Sequence, residues 1–381
     1  MMGYGLAVAS AAAWGVGLMI FISVAAGAAG AAEELLSAYN LTGGGGGGGC
    51  GLFYGKWAVD GTYPLYNNNG CPFIDPQFDC LKYGRPDKSF LYYTWKPAAA
   101  AAGSCNFPRF EGGDLLKRWR GKKIMYVGDS LSLNMWQSMA CMLHSAAVAA
   151  ARASFSYARN APIPYVAFKD YDLTIHFYHS NYLVDLVKET KGMVLNLDSI
   201  QQGGDVWKSM DVLIFNSWHW WTHTGTSQPW NIVQDGTNSY KDMDRLEAFR
   251  KGLTTWGKWV DQNVDPQRTK VYFMGISPSH YMGKEWGSPS KTCSGEKLPV
   301  EGSMYPAAAG EAIGPEEVVK KVLNGIRKPV YLLDITLLSE LRKDAHPSYY
   351  SGDHPGLDCS HWCLPGVPDT WNHLLYASLL Q

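Results

Sequence analysis

From Arg120 onward the chain alternates short apolar runs with stretches of helical periodicity, and this alternation narrows its fold more than any other feature. Lys123–Val127, Leu173–Phe177, Val212–Phe215, Lys270–Met274 and Val330–Leu333 are short and rich in β-branched or aromatic residues. Runs of that kind read as strands buried on both faces, the habit of parallel sheets. Between them, Leu131–Ser145 sets Met135, Met139, Met142 and Leu143 on one helical face, and Met243–Asn263 does the same with Leu246, Phe249, Leu253, Trp256 and Val260. Pro315–Ile326 opens with proline in its first turn and aligns Val318, Val322 and Ile326. Strand and helix in alternation predict an α/β domain over residues 120–381 with a mainly parallel central sheet. Functional residues in such sheets gather at the carboxyl ends of strands. That rule selects Gly128-Asp129-Ser130, Asn216–His223, Ser277–His280 and the C-terminal loops.

The chain before Arg120 follows another logic. Residues 3–32 are uncharged, apolar and rich in Ala and Gly, so residues 1–32 read as a targeting segment. It is either a signal peptide cleaved near Ala26 and Ala28 or Gly30 and Ala32, or a single membrane anchor. Residues 33–49 contain a run of seven glycines, Gly43–Gly49, and read as a flexible stem carrying the glycosylation sequon Asn40-Leu41-Thr42. Export implies an oxidising compartment. There the eight cysteines Cys50, Cys71, Cys80, Cys105, Cys141, Cys293, Cys359 and Cys363 predict four disulfides. Zinc is the rival, but no C-x-x-C occurs and Cys359-x-x-x-Cys363 has no matching pair, so no metal site is expected. Residues 50–119 form a Cys-rich module with too little core to fold alone, needing bridges to the main domain. The Ala-rich stretches Pro97–Gly103 and Ala146–Ala153 read as loops or helix extensions. With 18% charged residues and a net charge of −1, nothing predicts attraction to nucleic acid, and membrane contact is expected only through the N-terminal segment.

Val127-Gly128-Asp129-Ser130 sits where an apolar strand turns into a helix. Ser130 there meets backbone N–H groups able to stabilise an oxyanion, although Asp129 or Ser130 could equally serve as a helix cap. A nucleophilic serine needs a base and a group to orient it. Asp358-Cys-Ser-His361 supplies both on one loop, predicting a catalytic set of Ser130, Asp358 and His361; Asp353 and His354 are the competing pair. The Ser130 N–H with Asn216, or with Asn134, is the expected oxyanion hole. Trp218, His219, Trp220, Trp221, His280 and Trp362 are expected to bind substrate, since aromatic faces beside polar groups suit sugar rings. His144, His176 and His179 read as packing or surface residues.

A strand followed by Gly-Asp-Ser, with Asp-x-x-His near the C-terminus, resembles the GDSL/SGNH hydrolases. The blocks Val127–Asn134, Asn216–Trp221, Ser277–His280 and Asp358–Asn372, with Cys50–Trp57, Tyr63–Tyr66, Cys71–Ile74 and Gly84–Asp87, closely resemble the plant trichome-birefringence-like family. The resemblance implies a three-layer SGNH-hydrolase-like fold with the small Cys-rich module packed on it. It also implies a Golgi-lumen or secreted O-acetyltransferase that moves acetyl from a donor co-substrate to a cell-wall polysaccharide through an acetyl-Ser130 intermediate, with no bound cofactor. Leu133 and Thr94 depart from the family pattern, where Arg is frequent. An acetylesterase using the same triad, or a non-catalytic wall-polysaccharide-binding protein, are the alternatives. Xylan, mannan, xyloglucan and pectin all remain open as the polymer.

Overall fold

The computed structural model describes residues 51–98, 107–306, 313–352 and 354–380. The expected targeting segment, the expected stem with its sequon, Cys50, Cys105, Asp353 and most of the Pro97–Gly103 stretch lie outside the described residues. The chain enters through an antiparallel hairpin, β1 (Gly51–Val59) and β2 (Tyr93–Ala98), and helix α1 (Gly112–Arg118) then leads to the central sheet. That sheet holds β3 (Lys123–Gly128), β4 (Phe155–Ala158), β5 (Tyr165–Phe168), β6 (Leu173–His179), β9 (Val212–Phe215), β12 (Lys270–Met274) and β13 (Tyr331–Leu333), in the order β13-β12-β9-β3-β6-β5-β4.

All five apolar runs are strands, and these five are the ones that pair in parallel within this sheet. Their side chains alternate between two cores. Ile124 and Tyr126 of β3, Val212 and Ile214 of β9, and Tyr272 and Met274 of β12 face one layer. Met125, Val127, Leu213, Phe215, Val271 and Phe273 face the other. Where both faces are covered, in β3, β9 and β12, polar residues are excluded from the strand interior and the runs read as continuously apolar; β6 alternates, with Thr174 and His176 half-buried, and β13 at the edge leaves Tyr331 exposed. Helices α2 (Ser130–Ala149) and α5 (Val367–Leu379) cover the first face, and α3 (Arg245–Asn263) and α4 (Ile313–Asn324) the second. Met135, Met139, Met142 and Leu143 of α2 are buried as their spacing predicts, each worth about 1.5–3 kcal/mol relative to exposure. The Ala-rich stretch after Ser145 continues α2 to Ala149 and then ends it.

The hairpin β4–β5 extends the sheet antiparallel beyond β6. A second sheet, in the order β11-β10-β8-β7, is built from β7 (Asp185–Glu189), β8 (Gly192–Asn196), β10 (Ile232–Asp235) and β11 (Asn238–Tyr240). Residues 51–98 have few elements of their own and are tied down by bridges, as their weak periodicity predicts. Cys71–Cys141 joins them to α2, and Cys80–Cys363 to the C-terminal loop; Cys293–Cys359 is the third disulfide among the described residues. Trp57 adds a hydrogen bond to the Leu338 carbonyl at 2.8 Å.

Strand order reverses at β3, whose successor β6 lies on one side and β9 on the other. Such a switch point opens a crevice at the strands' carboxyl ends. Ser130 sits there.

Candidate active site

The turn after β3 depends on a residue without a side chain. A Cβ at Gly128 would lie 2.4 Å from Ser132 Oγ and 2.7 Å from the Asn216 carbonyl oxygen. Glycine therefore lets the ends of β3 and β9 close on each other, bringing Asn216 beside the start of α2. Asp129 caps that helix, its carboxylate accepting the Leu131 N–H at 2.9 Å. The capping role falls to Asp129, and Ser130, the first helical residue, keeps its hydroxyl free for another partner. Burial raises the Asp129 pKa to about 6, against the pull of the Leu131 N–H and the His361 charge.

That partner is His361. Its Nε2 lies 2.7 Å from Ser130 Oγ, and its Nδ1 lies 2.8 Å from Asp358 Oδ2. An ionised carboxylate only accepts, so Nδ1 carries the hydrogen and Nε2 presents a lone pair to the serine hydroxyl. Asp358 Oδ1 also accepts the N–H groups of Ser360 and His361, each at 3.0 Å, and the Ser360 hydroxyl. Burial alone would raise the Asp358 pKa, but the hydrogen bond and charge of His361 with these N–H groups outweigh it and hold the carboxyl well below the usual carboxylate range. The group therefore stays ionised wherever the imidazole works as a base.

The loop carrying this pair is held on several sides. Asp358 and Ser348 exchange backbone hydrogen bonds, Cys359 is bonded to Cys293, and Cys363 is bonded to Cys80. The N-terminal module reaches the site through Phe78, whose ring packs 5.5 Å from that of His361. Asn134 holds the loop as well. Its side chain accepts the Trp362 N–H at 2.9 Å and donates to the Trp362 carbonyl at 3.1 Å, clamping the residue after His361. Asn134→Ala is expected to leave both Trp362 groups buried without partners, costing about 1–3 kcal/mol for each. With the imidazole loosened, kcat should fall about tenfold to a hundredfold with little change in KM; denaturant unfolding and steady-state kinetics check the two effects.

The expected substrate platform divides. Trp218, His219 and Trp220 are half-buried at the carboxyl end of β9. Burial, with the His361 and His223 charges, pushes the His219 pKa down to about 4. Trp221, Trp362 and His280 are wholly buried and present no face to a ligand. The Trp221 indole donates to Ser217 Oγ at 2.8 Å, the Trp362 indole to Ser277 Oγ at 3.0 Å, and His280 pairs with His346. Their polar atoms are satisfied from within, which is why local sequence made them resemble binding residues. Asn216 is buried next to the turn and remains the candidate side-chain oxyanion donor, a role that only its Nδ2 hydrogens can fill. His354 is exposed, while His361 is the histidine that meets Ser130. His144 packs against Phe73 and Phe155, His176 bonds Thr174 and His179 bonds Asn181. Leu133 packs half-buried on the core and Thr94 is buried within β2, opposite Ala58 of β1. His346, which binds the His361 carbonyl at 2.6 Å, is the residue that sequence reasoning missed; no motif or spacing around it signals a role.

This geometry, a serine at a helix start hydrogen-bonded to an imidazole that a carboxylate orients, suits acyl transfer. The family described as the GDSL/SGNH-like acyl-esterase family found in Pmr5 and Cas1p matches residues 107–378, and the PMR5 N-terminal domain matches residues 48–100. From Arabidopsis thaliana, protein trichome birefringence-like 38 is 56% identical over 330 residues, covering 87% of this chain and 84% of that protein. Protein trichome birefringence-like 40 is 54% identical, covering 87% of each. Protein trichome birefringence is 42% identical over 351 residues, covering 87% of this chain and 56% of that protein. The chain belongs to the trichome birefringence-like family and is an acyl-transferase or esterase of the GDSL/SGNH-like kind.

Proposed function

We propose that the protein is an O-acetyltransferase that moves acetyl groups onto hydroxyls of a plant cell-wall polysaccharide. The observation that carries this reading is the chain of contacts from Ser130 Oγ to His361 Nε2 at 2.7 Å and from His361 Nδ1 to Asp358 at 2.8 Å. In the first half-reaction His361 takes the hydroxyl proton as Ser130 attacks the donor's acetyl carbonyl. The oxyanion is met by the Ser130 N–H and Asn216, and Asp358 stabilises the imidazolium. The imidazolium returns its proton to the departing donor group, leaving acetyl-Ser130. A sugar hydroxyl then gives its proton to His361, attacks the ester and restores the serine. Every proton is handled by one imidazole, so the chemistry needs an acetyl donor but no bound cofactor.

The half-buried Trp218, His219 and Trp220 offer an apolar face with polar neighbours, as a sugar ring requires. A groove lined by Tyr178, His179, Asn181 and Gln202 opens one strand over, where the Ser180 N–H binds the Gly128 carbonyl at 2.8 Å. The three disulfides among the described residues suit an oxidising compartment, in keeping with a Golgi-lumen or secreted enzyme.

An acetylesterase is the second reading, and one observation favours it. Ser130 and His361 are both only part-buried, so water reaches the acyl carbonyl unless the bound acceptor excludes it. The two readings separate when purified protein is given an acetyl donor with deacetylated oligosaccharides and, separately, acetylated oligosaccharides alone. Acetylated product in the first assay is the expected outcome. Turnover confined to the second would reassign the protein as an esterase.

A further inference from the structure

Two imidazoles lie behind the site. His280 Nδ1 is 2.6 Å from His346 Nε2. The outer nitrogen of each ring faces a backbone carbonyl, His280 Nε2 at 2.9 Å from that of Glu340 and His346 Nδ1 at 2.6 Å from that of His361. The rings are shut off from solvent, with exposures of 0% and 2%. A carbonyl can only accept, so each outer nitrogen must carry a hydrogen. A neutral imidazole has one N–H, and using it outward leaves two lone pairs facing each other between the rings. All three contacts are met together only by three hydrogens on the two rings, one more than two neutral imidazoles hold.

We propose that His280 and His346 share a proton between their inner nitrogens, so that the pair carries one positive charge and, through the His361 carbonyl, positions the catalytic imidazole. The functional half of this inference rests on the acyl-transfer reading; the proton count does not.

The surroundings pull both ways. Asp358 faces His346, and Asp344 and Glu296 face His280, all favouring the charge; Arg85 faces His346 and Lys343 faces His280, opposing it. These charges are paired among themselves, Arg85 with Asp87 at 3.4 Å, Lys343 with Glu296, and Asp344 with Arg342 at 2.9 Å, which weakens anions and cations alike. The Trp362 indole stacks on His346 with ring centroids 4.0 Å apart, a face that favours a cation. Burial works against the charge, pushing the His280 pKa down to about 4 and that of His346 well below its ordinary value. The bonds to the Glu340 and His361 carbonyls only partly offset this; what outweighs it is the short contact between the inner nitrogens, where losing the shared proton opposes two lone pairs or strips a buried carbonyl of its donor.

The direct test is nitrogen-15 magnetic resonance on the intact, substrate-free chain with labelled histidine, near neutral pH. Three protonated nitrogens in the pair, with one proton coupled to both inner nitrogens, are expected; two protonated nitrogens would overturn the proposal. No turnover enters this measurement, so failure of the acyl-transfer reading would be seen separately, as absent activity in an enzyme whose pair still holds three hydrogens. The positioning role is read from the pH profile. As pH rises through the pair's titration the shared proton is lost, and kcat should fall with KM little changed, a limb opposite in sense to the activation of His361 as a base. His280→Gln offers His346 Nε2 an amide donor that does not titrate, so it should abolish that alkaline limb. An alkaline limb identical to that of the unaltered protein would sink the positioning role, and a variant that fails to fold leaves the proton count of the unaltered protein to decide.

Discussion

Ser130→Ala is expected to lower acetyl turnover at least about a thousandfold, the scale on which serine nucleophiles are missed. The substitution removes one oxygen from a part-buried position and leaves the rest of the turn in place. The Leu131 N–H keeps its bond to Asp129, and the Gly128–Asn216 approach is untouched. The thermal midpoint and affinity for oligosaccharide should therefore stay close to those of the unaltered chain while turnover disappears. Mass spectrometry of the acid-quenched enzyme should find acetyl on the peptide containing Ser130, and none in the variant. Asp358→Asn should cost about as much as ten-thousandfold by a different route. An amide facing His361 Nδ1 favours the tautomer whose Nε2 carries a hydrogen, and such a nitrogen cannot take the serine proton. Turnover that survived Ser130→Ala would end the nucleophile assignment, whereas an unaltered chain that bound oligosaccharide without any acetyl turnover would leave the glycan-binding alternative standing.

The second large effect belongs to Cys80–Cys363. These cysteines are buried and 283 residues apart, so the bridge removes a very long loop from the unfolded ensemble. Replacing both with serine is expected to cost about 2–5 kcal/mol. Cys363 also closes the loop that carries His361, so catalysis should suffer beyond the loss of stability. The matched control is Cys71–Cys141, which joins the N-terminal module to α2 across 70 residues and lies away from that loop. Paired serine variants at 71 and 141 should show a comparable stability loss, read from denaturant unfolding. At a temperature where both proteins are folded, only the variant lacking Cys80–Cys363 should show a depressed kcat. Equal kcat in the two would mean that the loop is held without the bridge, by Asn134 and the Ser348–Asp358 pairing.

How far residues could be read one by one depended on whether their signal was local. The five parallel strands of the central sheet were legible because burial forces short runs rich in β-branched and aromatic residues, continuously apolar in β3, β9 and β12 and alternating in β6, and Ser130 because a strand, a glycine and a helix start follow one another directly. Asp358 and His361 share a loop, so their partnership needed only a short spacing. The second sheet was missed: its strands are three to five residues long and mix polar with apolar positions, leaving no clear period. The clamp that Asn134 places on Trp362 was not legible because the two residues are 228 positions apart. Trp221, Trp362 and His280 were read as ligand contacts because an aromatic ring among polar residues has the same local sequence whether those neighbours face solvent or satisfy it from within.

The order of residues alone determined which segments become strands and helices, where the hydroxyl stands on its turn, and which carboxylate and imidazole travel together. These depend on contacts between near neighbours, and covalent connectivity guarantees such contacts. Tertiary structure alone decided that His361 meets Ser130, that Cys80 and Cys363 join, and that His280 lies against His346 rather than against substrate. Each joins residues dozens to hundreds of positions apart, and burial, which decides whether a polar side chain serves a ligand or the core, exists only once those distant segments have packed.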